Sequence, residues 1–458
     1  MWKTARVCPI PKIDLPKTTK DYRPISILPI FSKIYERVIC NQLCQFIENN
    51  AIYNQNQSGF RKGHTTTTLL LKLRDDIIKA INKSEVTLII LIDYSKVFDT
   101  IDHQTLVKKL VNLNFGESSI RIFMSYLSER YQYVQVDDKS SSLLPIHFGV
   151  PQGSILGPVL FNLYVTELSE QLTSSSIQYA DDTTLYRHSK ISDISNCITA
   201  IEKDISYLSK WSSDNNLLFN SEKLQFILFS SKRLASLHKL CDNYSLCIRC
   251  AGKSIQQKDY VKLLGIKFDN HLSWCAHIND LIKTSHATLR ALRSFRRFTP
   301  MKVRKSLAEA LILSKLSYAN VVFGQLPTYL IQRLQRIQNT AAGYVLNRYA
   351  TLNDVIGLKW LPVKEHINYS TTRLVHKALY DSHWPSYLKV DKVVQTRELR
   401  SASQGTKILH GDSKSFQDQA RVFNNLPQTI RDSNEIKVFT KEARGFYLHI
   451  AKERAVSL

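Results

Sequence analysis

"SIQYADDTTLYR", residues 176–187, sets two adjacent aspartates, Asp181 and Asp182, inside a run whose other residues mostly favour β-strand. Strand formers on either side of the pair predict two short strands that meet at a bend. A carboxylate desolvated at a strand end is costly unless its charge is paired or holds a cation. "DD" alone is an ordinary turn sequence, so the pair gains meaning only from its surroundings. "VTLIILIDYSKVFDTIDH", residues 86–103, supplies them. Its apolar run Val86 to Ile92 reads as a central strand buried on both faces, and that strand ends in Asp93. Pairing the two strands in one sheet brings Asp93, Asp181 and Asp182 together. Three acids without a basic partner in either motif call for hard divalent cations, and magnesium with oxygen ligands suits them. Two such ions about 3.5–4 Å apart can activate an attacking hydroxyl and stabilise a leaving oxygen in phosphoryl transfer. That chemistry fits nucleotide polymerisation.

Composition points the same way. With 458 residues, 43% hydrophobic and 10% aromatic, the chain can bury a sizeable core, and this length predicts two to four domains. Lysine and arginine number 62 against 39 acidic residues, a formal charge of +23 that suits a polyanionic partner, either nucleic acid or an anionic membrane surface. No apolar run approaches the roughly 20 residues that span a bilayer, and "MWKTARVCPIPK" lacks the apolar segment of a signal peptide. A membrane protein is not expected. The eight cysteines read as reduced thiols of an intracellular-looking chain rather than as a disulfide framework. In "HKLCDNYSLCIRC", His238, Cys241, Cys247 and Cys250 have zinc-ligand chemistry. A strand there would turn Cys247 and Cys250 to opposite sides, so a zinc site is not expected.

The remaining pattern predicts an α+β unit. Proline-punctuated extended pieces lead to a helix from about Ser32 to Asn50, with Ile34, Val38, Leu43 and Phe46 near helical spacing. "FGVPQGSILGPVLFNLYVTEL" reads as a tight turn feeding an amphipathic helix. A charged helix around Glu202 to Trp211, a strand "LQFILFS" and a strand pair ending in "VKLLGIKFD" complete the unit near residue 270. Residues 283–348 then carry twelve lysines and arginines against one acid, Glu309. Arg290, Arg293, Arg296 and Arg297 recur at helical steps that predict one basic helix face. Such a face can be merely solvated, but the scarcity of acids favours phosphate contact. Beyond Tyr349 a helical segment and then a more polar stretch follow, with no internal repeat.

"RPISILPIFSKIYERVI", "NQSGFRKGHTT", "LIDYSKVFDTIDH", "GVPQGSILGPVLFNLYV", "YADDTTLY", "LLFNSEKLQFILFS" and "LLGIKFDNHLSW" occur in the order of the successive motifs of reverse transcriptases, and the chain resembles that family. The wording is similar to non-LTR retrotransposons of the LINE type, particularly jockey-like and CR1-like elements. The resemblance implies a right-hand polymerase fold, α+β, with an antiparallel palm sheet. Fingers and palm would occupy residues 1–275 and a basic helical thumb 276–348, while 349–458 would form a C-terminal region of unknown role.

The resemblance also implies an RNA-directed DNA polymerase that extends a DNA primer on an RNA template with deoxynucleoside triphosphates. Asp93, Asp181 and Asp182 would be catalytic and hold two magnesium ions, with manganese as the alternative; along a strand, Asp182 alternates away from its neighbour. Lys223 matches a lysine that protonates the leaving pyrophosphate. Lys12 and Arg23 would hold the triphosphate, and Phe98 would lie beneath the sugar and exclude a 2′-hydroxyl. Gln152 and Gly153 would contact nucleotide and template, glycine permitting close backbone approach. Arg290, Arg293, Arg296 and Arg297 would bind nucleic acid, and "LLGIKFD" would grip the primer end. For Asp99 and His103, structural hydrogen bonding is expected. Val97 stands where the family usually has alanine. The chain begins at the first fingers motif, which implies truncation before an endonuclease domain and a separate nuclease as partner. Two other readings compete: a catalytically silent or domesticated RNA-binding remnant, and an RNA-dependent RNA polymerase. Intact acidic motifs oppose the first; Phe98 and "YADD" oppose the second.

Overall fold

A computed structural model describes residues 2–238, 246–250, 252–392 and 406–456. Its centre is a five-stranded sheet in the order Gln225–Phe229, Val86–Ile92, Asp182–Ser189, Ser175–Tyr179, Gln57–Ser58. Neighbours are antiparallel except Gln57–Ser58, which runs parallel to Ser175–Tyr179. Val86–Ile92 has strands on both sides and cores on both faces. Leu88, Ile90 and Ile92 enter one core, Ile89 the other, as period-2 alternation requires. Each fully buried aliphatic side chain stabilises the fold by about 1.5–3 kcal/mol.

One face of the sheet is covered by the helices Gly157–Tyr164 and Ile194–Asp214. The other meets the helix Thr66–Asn82, the hairpin Tyr260–Leu263/Ile266–Asp269 and the helices Val363–Tyr380 and Ile436–Val456. A second sheet is built on Thr4–Pro11, antiparallel to Tyr22–Ile27 and parallel to Arg130–Val136. Its prolines sit where a missing N–H is harmless: Pro24 is on the edge strand, and Pro9 and Pro11 lie past the residues paired with Arg130–Val136.

Three local expectations change. The helix Gly157–Tyr164 is buried all round rather than amphipathic, because it lies inside the core against the helix His103–Asn112. The helix Ile30–Asn49 buries Ser32, Glu36, Cys40, Leu43 and Ile47 and leaves Ile34 and Val38 exposed. Glu36 sets that phase, since its carboxylate accepts the backbone N–H of Ile155 at 2.6 Å. The four arginines do not share one helix face. The helix Cys275–Ser294 carries Arg290 and Arg293, whereas Arg296 and Arg297 belong to a 3-10 turn, Arg296–Phe298. Pro300 follows and disfavours helical backbone at Thr299, which is extended with φ −114°.

Cys241 lies outside the described residues. Cys250 is buried beside Ile248 on the strand Cys247–Cys250, with Cys247 on the opposite side. Among the described residues no helix is long and apolar enough to cross a membrane.

The C-terminal helices are tied to the centre by buried charge. Arg74, 3% exposed, donates to the carbonyls of Val321 and Val322 at 3.1 and 3.0 Å, and to Gln419 at 3.1 Å. It also pairs with Asp75 at 2.9 Å, and Asp75 accepts the N–H of Phe416 at 2.9 Å. A buried pair broken on one side leaves an uncompensated charge and bare carbonyls. Arg74→Met should therefore lower stability by about 3–5 kcal/mol, read as a drop in the urea midpoint. An unchanged midpoint would mean that the C-terminal helices are held without this anchor.

Candidate active site

The strand register builds the site. Thr183 faces Ile92 in the antiparallel ladder, so one step further along Asp182 stands across from Asp93. Tyr179 pairs with Asp182, which leaves Ala180 and Asp181 as a two-residue turn. Ala180 takes a left-handed φ of +55°, the conformation such hairpins need at their first central position and one that costs an L-residue roughly 1–2 kcal/mol. The N–H of Ala180 donates to the Ser58 carbonyl at 3.2 Å, so the short parallel strand props the strained turn.

Asp93 does not stand without a base, as its own motif suggested. Tyr94–Ser95 pairs with Leu218–Phe219, and the chain then turns through Ser221–Lys223 to bring the Lys223 ammonium 2.6 Å from the Asp93 carboxylate. Desolvation raises the pKa of Asp181; the negative charge of Asp93 adds to the rise and the guanidinium of Arg23 opposes it. Asp182 is pushed up to about 6, first by desolvation, then by Asp181 and Asp93. The three carboxyls thus form one electrostatic group. A cavity of about 410 Å³ opens beside it, lined by Asp93, Asp182, Lys223, Lys258 and Lys262. Asp182 lines this cavity, while Asp181, in the turn, feels the charge of Arg23 from the second sheet.

Among the described residues no three His, Cys, Asp or Glu side chains already form a cation cage. Like charges in a desolvated cleft repel, and Asp93 turns to Lys223 instead. The donor set still fits a hard cation. It is all carboxylate oxygen, and two of its members have raised pKa values that a cation would relieve.

The other expected residues fall around this centre. Phe98 is half-buried with its ring 5.3 Å from that of Phe161, and its carbonyl accepts the N–H of Val150 at 2.7 Å. Val97 is accommodated in the core at 3% exposure. His103 donates from Nε2 to the Gly149 carbonyl at 2.7 Å. Desolvation raises Asp99, with Lys96 and Lys12 opposing; the ammonium of Lys12 donates to the Lys20 carbonyl at 3.0 Å. The Gln152 carbonyl accepts the N–H of Ser26 at 2.7 Å.

Gly153 has no room for a side chain. At φ +127° a Cβ would stand 2.6 Å from the Ser26 carbonyl, so the close approach is to the chain's own strand. Arg290, Arg293, Arg296 and Arg297 are not part of this centre. Arg293 and Arg296 line a separate cavity of about 490 Å³ with Arg336 and Arg348. Sequence reasoning missed Glu36, which is turned inward by its contact with the distant backbone N–H of Ile155. It also missed Lys258 and Lys262, which carry no local signal.

Residues 10–268 match the family model described as reverse transcriptase (RNA-dependent DNA polymerase). The chain is 28% identical over 335 residues to the "RNA-directed DNA polymerase from mobile element jockey" of Drosophila melanogaster, covering 70% of this chain and 35% of that one. It is 27% identical over 388 residues to the "Probable RNA-directed DNA polymerase from transposon X-element" of the same organism, covering 81% and 41%. It therefore spans well under half the length of these relatives. Among solved structures, apo telomerase from Candida tropicalis, truncated from its C-terminal domain, aligns at 12% identity with a TM-score of 0.41, over 59% of this chain and 54% of that one. The matched segment exceeds half the sequence and contains every carboxylate of the centre together with Lys223, and the chain belongs to the reverse transcriptase (RNA-dependent DNA polymerase) family.

Proposed function

We propose that the chain is the polymerase segment of a non-LTR retroelement of the jockey type, extending a DNA primer along an RNA template with deoxynucleoside triphosphates. One observation carries this reading: the register opposes Asp93 to Asp182, with Asp181 in the turn that leads into Asp182, and the charge of Asp93 adds to the raised pKa of both Asp181 and Asp182. The family works with divalent metal ions. Asp93, Asp181 and Asp182 would hold two magnesium ions, or manganese in their place. When bound, such ions neutralise the transferring phosphoryl group and lower the pKa of the attacking hydroxyl.

The chain's own residues supply the rest of the proposal. Lys223 carries a proton on Nζ and gives it to the leaving pyrophosphate. Arg23, whose charge reaches Asp181, and Lys12 hold the triphosphate, the guanidinium binding its oxygens in bidentate fashion. Phe98, backed by Phe161, shuts out a 2′-hydroxyl. Gln152 and Gly153 bear on nucleotide and template, in a loop fastened to Ser26 and, through Ile155, to Glu36. Residues 1–275 serve as fingers and palm. Residues 276–348 serve as a thumb whose arginines, including the cavity pair Arg293 and Arg296 and the added Arg336, contact the phosphate backbone.

Primer extension on RNA with magnesium tests the centre. Asp93→Asn and Asp181→Asn should each reduce extension at least about a thousandfold, equivalent to roughly 4 kcal/mol of transition-state stabilisation, with unchanged circular dichroism. Full activity in either variant would rule out this site.

The raised pKa of Asp182 gives a pH signature. Its ordinary value is 3.8 and its folded value about 6, so the folded state binds the proton more tightly. The resulting stability is present below the ordinary value and is lost as pH rises through the folded one. In melts without divalent ions, wild type should lose stability between pH 4 and pH 6 more steeply than Asp182→Asn. Parallel curves would show that Asp182 titrates normally.

For the thumb, replacing Arg293, Arg296 and Arg336 together by alanine should flatten the slope of log affinity against log salt by roughly two to three units for a template–primer duplex. If slope and affinity stay as in wild type, those cations face only solvent.

A further inference from the structure

Residues 349–458 lie outside the matched family segment, yet one loop from this region closes on the turn that presents Asp181. The Tyr387 hydroxyl lies 3.2 Å from Ser58 Oγ and 3.3 Å from Thr68 Oγ1. Its ring meets that of His64 edge-on, with centroids 5.6 Å apart. His64 Nδ1 is in turn 3.0 Å from Ser58 Oγ. Desolvation lowers His64 to about 4, so its ring is neutral at pH 7, and desolvation raises Tyr387, so its hydroxyl keeps its proton. One assignment of protons satisfies the cluster: Tyr387 donates to Ser58, Ser58 to His64 Nδ1, and Thr68 to the Thr65 carbonyl at 2.9 Å.

The loop fits closely. Gly63, at φ +78°, has no room for a side chain, since a Cβ would stand 1.9 Å from the His383 carbonyl. Ser58 is fully buried, pairs with Tyr179, and through its carbonyl holds the N–H of Ala180 at 3.2 Å. Two contacts therefore connect Tyr387 to the strained residue that precedes Asp181. A residue held in left-handed backbone persists only where its surroundings over-determine it, and the Ser58 carbonyl is one of those constraints.

We propose that Tyr387 is a positioning residue for Asp181: through Ser58 it fixes the Ala180–Asp181 turn and so makes the C-terminal region part of the polymerase centre. The inference rests on the reading of Asp181 as a cation ligand. It gives the C-terminal region a role in turnover without any contact with substrate.

The test compares Tyr387→Phe, Ser58→Ala, the double variant, and Val375→Ala as a control in the full chain. Val375 is fully buried in the helix Val363–Tyr380, and its side chain has no hydrogen-bonding group, so truncating it costs packing without removing a member of the hydrogen-bonded link through Ser58. Hydrogen exchange of the peptide spanning residues 176–184 reports on the turn without relying on activity. Tyr387→Phe should speed that exchange and lower kcat about three- to tenfold, the worth of one hydrogen bond, while KM for the deoxynucleotide changes less than about twofold. The double variant should fall no further than the worse single one, because both remove the same link. Val375→Ala should lower the melting temperature and leave both the turn exchange and kcat near wild type. Wild-type exchange and kcat in Tyr387→Phe overturn the proposal, as does Val375→Ala reproducing both changes. If Asp181→Asn is inactive while Tyr387→Phe behaves as wild type, only the brace fails; an active Asp181→Asn removes the underlying reading of the site.

Discussion

The pairing of Val86–Ile92 with Asp182–Ser189 is the constraint on which the site depends. A strand buried on both faces cannot slip by one residue, because every side chain would exchange one core for the other. Leu88 and Ile90 belong to one core and Ile89 to the other, so the hydrophobic effect sets the register. The register in turn opposes Asp93 to Asp182. Apolar packing thus holds together charges that electrostatics alone would separate. The cost appears as raised pKa values of Asp181 and Asp182; the Arg23 guanidinium offsets part of it at Asp181, and Lys223 pairs with Asp93.

The positive excess is arranged in two ways. Around the carboxylates, Lys223, Lys258 and Lys262 line a cavity together with the acids, a mixed field suited to holding an anion near a cation. In the segment 283–348 the cations stand almost unopposed. Its one acid, Glu309, is committed to structure: it accepts the indole N–H of Trp360 at 2.7 Å within a π-helical turn. Arg348 is paired with Asp354. The surface that remains suits a long polyanion read by charge.

The C-terminal helices share a core with the back of the central sheet, where Phe416, Phe423, Phe439 and Tyr447 join Ile89, Ile177 and Phe229. Arg74 and the Tyr387 loop add polar ties to the same face. The sheet that carries the aspartates is therefore packed on both sides, and the hairpin turn is held by a region remote in the sequence.

The sequence by itself determined the elements with strong periodicity and the acidic residues that the fold could bring together. Val86–Ile92, the bend at Asp181, the lysine after "NSE" and the basic segment were all legible, because alternation, turn chemistry and charge are local properties. The phase of the helix Ile30–Asn49 was not, since Glu36 is drawn inward by a backbone N–H at Ile155, 119 residues away. Nor was the end of the arginine stripe, which Pro300 dictates through the residue before it. Lys223 beside Asp93, Arg23 within reach of Asp181, and Tyr387 beneath the turn were decided only by tertiary structure. Each joins residues far apart in the chain, and no periodicity within one segment records which distant side chain will share its desolvated space.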